Sequence, residues 1–456
     1  MDDKYWINDK NFIKLCDIVA LNRMVCLTGA GISEGLPLKN GKTSSNWLGL
    51  LTAIKDSIGN NLSKEETKDV TELLSGKPIG EQLIEASSIL YNANKKEFLQ
   101  VLKESADLAN NTTSDVHKAL LELSPRGILT YNYDVAHENA INEADERDKW
   151  SIVLPFENDK IADIIRKNFT EQFLFKAHGT VDDENTMVLT RESYRELFNN
   201  PYYKAFMQYI FTNFQLLIIG FGLSDPDFDM LLQNIFSVFG SPIQEHIVIK
   251  HKDEKTKNDT LYRLRYGLNF IYVNDFGDIP EILRDSTKYP GDKLKGILNK
   301  CIDRDIDKRK EAHQEVRSLS NIGMKCLENI LKEKIMNKIS REKEITYSSE
   351  DNTETSEYVY TYGVIANMAQ REEYKDFLIE EVINKSQYSE PIAHALVHLR
   401  DILTEEDIKL VEEWKKSFVN RNYKKDINNT DPDNRVYAYC ETAYYLLKAK
   451  YKPELV

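Results

Sequence analysis

Six short apolar runs, rich in β-branched and aromatic residues, recur through the first 285 residues and alternate with stretches of helical spacing. That alternation constrains the fold more than any other feature. The runs are "MVCL" (24–27), "GILTY" (127–131), "FLFKA" (173–177), "LLIIG" (216–220), "HIVIK" (246–250) and "FIYVN" (270–274). Near-continuous apolar strands separated by helices belong to a parallel sheet covered on both faces, because a parallel connection needs a crossover. The stretch between the first two runs is too long for one crossover and predicts a helical insertion at about 40–112. It includes "EQLIEASSILYNANKKEFLQVLKESADLA". Beyond residue 286 the pattern becomes helical throughout, as in "EVRSLSNIGMKCLENILKEKIMNKISREKE". There "SSEDNTETSE" (348–357) reads as a polar, acidic linker, "EYVYTYGVIA" fits strand or helix, and "NNTDPDN" reads as a turn. Two domains are expected, 1–286 and 287–456.

Composition narrows the function classes. The chain has 456 residues, 41% hydrophobic and 29% charged, with a formal net charge of −14. That balance is globular, and it opposes a general grip on nucleic-acid backbones, which needs clustered Lys and Arg. The basic run from Lys332 to Lys343 is expected to be the wet face of a helix, so direct binding of nucleic acid is not expected. No apolar run approaches the ~18 residues of a membrane span. The opening "MDDKYWINDK" lacks the basic start and apolar core of a secretory leader. Cys16, Cys26, Cys301, Cys326 and Cys440 are scattered and never form C-x-x-C. A cytoplasmic location and the absence of a bound metal are expected from these features.

In open parallel sheets, ligands gather outside the carboxyl ends of the strands. Four of the six runs end in small or polar residues: Thr28-Gly29-Ala30-Gly31-Ile32-Ser33, Thr130-Tyr131-Asn132-Tyr133-Asp134, His178-Gly179, and Gly220-Phe221-Gly222-Leu223-Ser224-Asp225. Gly29, Gly31 and Gly35 are spaced G-x-G-x-x-x-G, one residue longer than the common dinucleotide loop. Glycines at 29 and 31 either bring bare backbone to a diphosphate or only make a tight turn. Asn132 suits the fixing of a carboxamide or a water. Asp134 suits ribose hydroxyls or the cap of the following helix. His178 is suited to take a proton near neutral pH, or is structural, as His117 and His137 are read to be. Ser224 or Asp225 caps a helix that opens with Pro226.

Taken together, "GAGIS…GLP", "TYNYD", "HG" and "GFGLSD" resemble the SIR2 family of NAD-consuming, sirtuin-like enzymes. The resemblance covers roughly residues 24–228. It implies an α/β, Rossmann-like parallel sheet with a helical insertion, followed by an α-helical C-terminal domain. It also implies NAD as substrate, with Gly29, Ala30, Gly31 and Ser33 around the diphosphate. Thr130, Asn132 and Asp134 would lie by the nicotinamide and its ribose, His178 with Gly179 at the reacting centre, and Gly220, Gly222, Leu223, Ser224 and Asp225 on the adenosine side. Asn132, Asp134 and His178 carry catalysis in this reading. The zinc-binding C-x-x-C pairs of the protein deacylases are missing, and Leu38 and Lys39 stand where a Phe and an Arg usually follow the "GLP" turn. Lys250 stands where many sirtuins have Asn. These departures are similar to bacterial defence-associated SIR2 proteins and imply hydrolysis of NAD to nicotinamide and ADP-ribose in antiviral defence. A homo-oligomer or a triggering partner protein would control it. A zinc-free deacylase or ADP-ribosyltransferase, and a noncatalytic NAD sensor, are the alternatives.

Overall fold

A computed structural model describes residues 4–21, 23–223, 226–344, 348–369, 372–418 and 432–451. The chain divides into two units, Met1–Tyr289 and Pro290–Val456. The first is an α/β unit built on seven strands: β1 (Met24–Thr28), β2 (Gly127–Thr130), β3 (Trp150–Val153), β4 (Gln172–Lys176), β5 (Gln215–Ile219), β6 (His246–His251) and β7 (Leu268–Val273). All neighbours are parallel, in the order β3-β4-β2-β1-β5-β6-β7. β1, β2, β4 and β5 are buried almost end to end, which is why they read as unbroken apolar runs.

The chain leaves β1 for β2 on one side and later returns to the other side of β1 as β5. In sheets with such a reversal, ligands bind outside the carboxyl ends of the central strands. Four helices, Trp47–Ile58, Lys64–Leu73, Gly80–Ala93 and Lys95–Ala106, form the insertion between β1 and β2. Their core of Leu51, Ile54, Ile58, Leu90, Phe98 and Leu102 also takes in Val181, Met187 and Leu189. The insertion therefore packs on the segment that follows His178.

β3 was not among the six expected strands. It is an edge strand with Ser151 and Ile152 half-buried, so it lacks the continuous apolar signature of its neighbours.

The unit Pro290–Val456 is helical, with two 21-residue helices, Asn321–Arg341 and Ser349–Ala369. The second corrects the expected linker at 348–357 and resolves "EYVYTYGVIA" as helix. Ser348 and Asp351 cap each other reciprocally: the Ser348 N–H donates to Asp351 Oδ2 at 3.1 Å, and the Asp351 N–H to Ser348 Oγ at 3.2 Å. Thr355 and Ser356 then donate to the carbonyls of Asp351 and Asn352, so their hydroxyls can be buried at little cost. The basic run is a wet face only in part: Arg341 and Lys343 are exposed, whereas the others are half-buried. Lys332 pairs with the fully buried Glu328 at 2.6 Å, and Lys338 with Asp351 and Glu354 at 2.6 Å each. The expected turn "NNTDPDN" begins outside the described residues. Among those described, no helix is long and apolar enough to cross a membrane.

Candidate active site

The four strand ends singled out in the sequence belong to β4, β2, β1 and β5, which are consecutive in the sheet. Their register is level: Thr28 lies opposite Thr130 and Ile219, and Thr130 opposite Lys176. Four loops distant in sequence thus emerge side by side.

The first and last of these loops interlock. The Gly29 N–H donates to the Ile219 carbonyl at 3.3 Å and the Gly31 N–H to the Gly220 carbonyl at 2.9 Å. A Cβ on Gly29 would stand 2.7 Å from the Gly220 oxygen, and one on Gly220, at φ +62°, would stand 2.6 Å from the Ile32 nitrogen. The close approach expected toward a diphosphate is therefore made, at Gly29, between two loops of the protein itself. Gly222 differs, since a Cβ there meets nothing within 4 Å. Ala30 is half-buried and Gly31 exposed, which leaves the crest of the β1 loop open. Leu223 is half-buried, and Ser224 and Asp225 lie outside the described residues.

Asn132 is buried at the end of β2. Its N–H donates to Thr130 Oγ1 at 3.2 Å and its Nδ2 to Ser33 Oγ at 3.2 Å, joining the β2 and β1 loops. Ser33 is itself held, through its carbonyl, by the Ser44 hydroxyl. Asp134 Oδ1 accepts from the Ala136 N–H at 2.9 Å, at the start of the helix Ala136–Glu143. This bond spans Val135, which is the N-cap residue and makes no side-chain cap bond, so Asp134 holds the first N–H of the helix from outside the expected cap position.

His178 is 2% exposed at the end of β4. It is enclosed by the rings of Tyr131, Tyr194 and Tyr133, with centroids at 4.6, 5.1 and 6.4 Å. Its Nε2 makes no hydrogen bond among the described residues. Burial drives its pKa down to about 3, because the apolar surroundings disfavour the imidazolium. The ring is therefore neutral at physiological pH, but a far weaker base than the sequence suggested. Gly179 adopts φ +86° and closes on Thr186, where a Cβ would come within 2.2 Å of the carbonyl oxygen.

Several neighbours were not singled out in the sequence. Lys176, with no exposed side-chain surface, pairs with Glu138 at 2.7 Å. The only sequence signal was a lysine inside the apolar "FLFKA". His117 and His137, read as structural, pack ring to ring at 4.6 Å. His137 Nε2 lies 2.9 Å from Thr28 Oγ1, and Ser114 Oγ joins His117 Nδ1 at 2.5 Å and the Ile32 carbonyl at 3.2 Å. Burial lowers both pKa values, that of His117 to about 4. Leu38 packs on Leu108 and Ala136, and Lys39 pairs with Asp107. Lys250 is committed to Asp259 at 3.2 Å. Among the described residues no group of three or more His, Cys, Asp or Glu side chains could hold a metal ion.

Residues 126–271 match the family model described as a SIR2-like domain. That span runs from the start of β2 into β7 and leaves out the β1 loop. The chain is 23% identical over 287 residues to a protein named NAD(+) hydrolase ThsA from Bacillus cereus (strain MSX-D12), a match covering 56% of this chain and 53% of the relative. It is 24% identical over 207 residues to NAD(+) hydrolase ThsA of Enterococcus faecium, covering 38% and 40%. It is 26% identical over 199 residues to Defense-associated sirtuin 2 of Bacillus subtilis, covering 42% and 19%. The chain thus spans about half the length, or less, of these curated relatives.

Proposed function

We propose, from the premise that this chain carries a SIR2-like domain, that it hydrolyses NAD at the bond between nicotinamide and ribose and so depletes NAD in defence against viruses. The observation that carries this reading is one buried imidazole, with a nitrogen unpartnered among the described residues, at the end of one of four adjacent strands whose loops hold Asn132 and the glycines. Relatives whose names state NAD(+) hydrolysis support it. The residues also fit the dinucleotide. The crest of the β1 loop is open, Gly222 leaves room for a close approach, and Asn132 offers an amide beside Ser33.

The nicotinamide of NAD leaves without needing a proton, since it departs from a ring that is already cationic. The protein's task is to position the sugar and stabilise an oxocarbenium-like centre. Asn132 orients the nicotinamide or the attacking water. The Asp134 oxygen not bonded to the Ala136 N–H faces the ribose. His178 accepts a hydrogen bond from water or a ribose hydroxyl through Nε2. When water adds to the anomeric carbon, one proton is released, and His178 is placed to take it. A neighbouring diphosphate raises the imidazole pKa from its low value in the free protein, which strengthens the base only when substrate is bound. The Pro290–Val456 unit is assigned to self-association or to the triggering partner, because unregulated loss of NAD would poison the cell that makes the protein.

Pure protein incubated with NAD, with and without an acetylated peptide, tests this reading by chromatography. Nicotinamide and ADP-ribose are expected in both cases, and neither in Asn132→Ala or His178→Ala. Nicotinamide release that requires the peptide would overturn hydrolysis in favour of deacylation.

A further inference from the structure

Lys176 is the one lysine of the sheet that ends a strand with its side chain entirely buried. Its ammonium donates to three acceptors: the Asp134 carbonyl at 2.6 Å, Glu138 Oε1 at 2.7 Å and Thr180 Oγ1 at 3.3 Å. An ammonium has three hydrogens, so its capacity is filled. The acceptors come from the loop that carries Asn132, from the helix behind that loop, and from the loop that carries His178. The same two loops are laced by the Ala177 N–H to the Thr130 carbonyl at 2.8 Å and the Val181 N–H to the Tyr133 carbonyl at 2.9 Å. These bonds prolong the β2–β4 pairing past the strand ends. The ammonium reaches one residue further along the β2 loop, to Asp134.

Buried ion pairs contribute little net stability, and apolar pairs of similar size commonly replace them without loss. Stability alone therefore does not account for a charge here. We propose that Lys176 is a positioning residue, which clamps the Asn132 loop to the His178 loop and fixes the separation at which the amide and the imidazole face the glycosidic carbon. This rests on the hydrolase reading. The side chain touches no substrate; it acts through Asp134, Glu138 and Thr180.

The test is the double variant Lys176→Met/Glu138→Leu, which removes both charges together and avoids leaving either one stranded. Lys118→Met/Glu143→Leu, an exposed pair joining two helices of the same unit, is the control. Three quantities are read in the full-length protein: thermal midpoint, kcat and KM for NAD, and amide exchange in the segments 131–135 and 178–181. With the midpoint near wild type, kcat is expected to fall about a hundredfold, the scale of a misplacement near 1 Å. KM is expected to stay within about threefold, and exchange in both segments to rise about tenfold, as local opening becomes easier. The control should change none of these. Wild-type kcat and wild-type exchange in the double variant would overturn the clamp and leave the hydrolase reading standing. If the wild type itself releases no nicotinamide, the hydrolase reading falls and the catalytic part of this proposal falls with it. Exchange then decides only whether the clamp orders the loops. Should the double variant fail to fold, Thr180→Val removes one acceptor while keeping the ion pair. It should lower kcat a few-fold at unchanged KM, and wild-type behaviour there would overturn the proposal.

Discussion

His178 and His246 are buried to nearly the same degree, 2% and 3% exposed, at opposite ends of one sheet. His246 opens β6 at the amino edge, where its Nδ1 accepts from the Leu216 N–H at 3.0 Å. Around it the edge is tied off. Gln172 and Gln215 donate to the carbonyls of Pro125 and Glu245, and Asn269 donates to those of His246 and Gly267. The indole nitrogen of Trp150, at the start of β3, is an exception there. At the carboxyl edge the exceptions cluster. His178 Nε2, His117 Nε2, His137 Nδ1 and Glu138 Oε2 all lack hydrogen-bond partners among the described residues. A buried polar atom left unpaired costs about 1–3 kcal/mol, so a concentration of such atoms along one edge calls for a reason other than folding. Burial by itself does not mark a site. Unspent hydrogen-bonding capacity gathered at the ends of adjacent strands does.

The widest separation between the two edges should come from removing each imidazole. His178→Ala is expected to lower kcat for NAD cleavage by about a hundredfold to ten-thousandfold, the range for a lost general acid or base. His246→Ala should leave kcat unchanged and instead lower the urea midpoint, because the Leu216 N–H loses its acceptor. Turnover and unfolding measured on both proteins break the comparison if the two variants behave alike.

The two edges were not equally legible in the sequence. Strand ends could be located because β1, β2, β4 and β5 are buried on both faces and read as unbroken apolar runs. Asn132, His178 and the glycine loops were therefore visible as strand-end residues. Lys176 was hidden because a single lysine in "FLFKA" reads as an interruption, and its partners lie about 40 residues back in the chain. His117 and His137 were passed over because nothing local in the chain signals that the helices Asp115–Glu122 and Ala136–Glu143 bring them together. The 348–357 segment failed for a related reason. Its polar residues satisfy one another within a helix, whereas composition alone reads them as solvated. Patterns that repeat along the chain could be read; pairings between distant residues could not.

Acid should separate His246 from its surroundings by a smaller amount. Burial lowers its pKa to about 4, from an unfolded value of about 6.5. The unfolded chain therefore binds a proton before the native one does. Stability is whole above pH 6.5 and is lost as pH falls from there toward 4. At pH 5 the loss attributable to this one ring is about 2 kcal/mol. Urea midpoints at pH 7 and pH 5 should show that much less acid loss in His246→Ala than in wild type. An equal loss in the two proteins would mean that His246 is protonated without penalty in the native state.

Glycines sharpen the contrast on a scale of about 1–3 kcal/mol, the usual cost of overpacking. Gly29→Ala forces a Cβ to within 2.7 Å of the Gly220 oxygen and 2.9 Å of the Phe221 Cα, so the interlocked loops must part. Gly222→Ala places its Cβ in open space and should change stability by less than ~0.5 kcal/mol. If the open space admits substrate, KM for NAD rises several-fold in Gly222→Ala while its unfolding curve overlays that of wild type. A KM equal to wild type would remove Gly222 from the binding surface.

Asp134 tests the contrast at its narrowest, because it stands at the carboxyl edge and behaves in part like an amino-edge residue. One oxygen is spent on the Ala136 N–H, the first of the helix Ala136–Glu143, across the N-cap residue Val135. Removing that bond in Asp134→Ala should cost about 1 kcal/mol, whereas Asp134→Asn, whose amide oxygen can accept from the same N–H, should cost a few tenths at most. If the carboxylate also holds the ribose, both variants raise KM, and the asparagine variant does so with its helix intact. Stability and substrate binding then come apart in a single substitution, as expected of a group with one oxygen committed to the fold and the other to the ligand. An asparagine variant with wild-type KM would show that Asp134 serves only to hold the Ala136 N–H, and the ribose would have to be held by another group along the same edge.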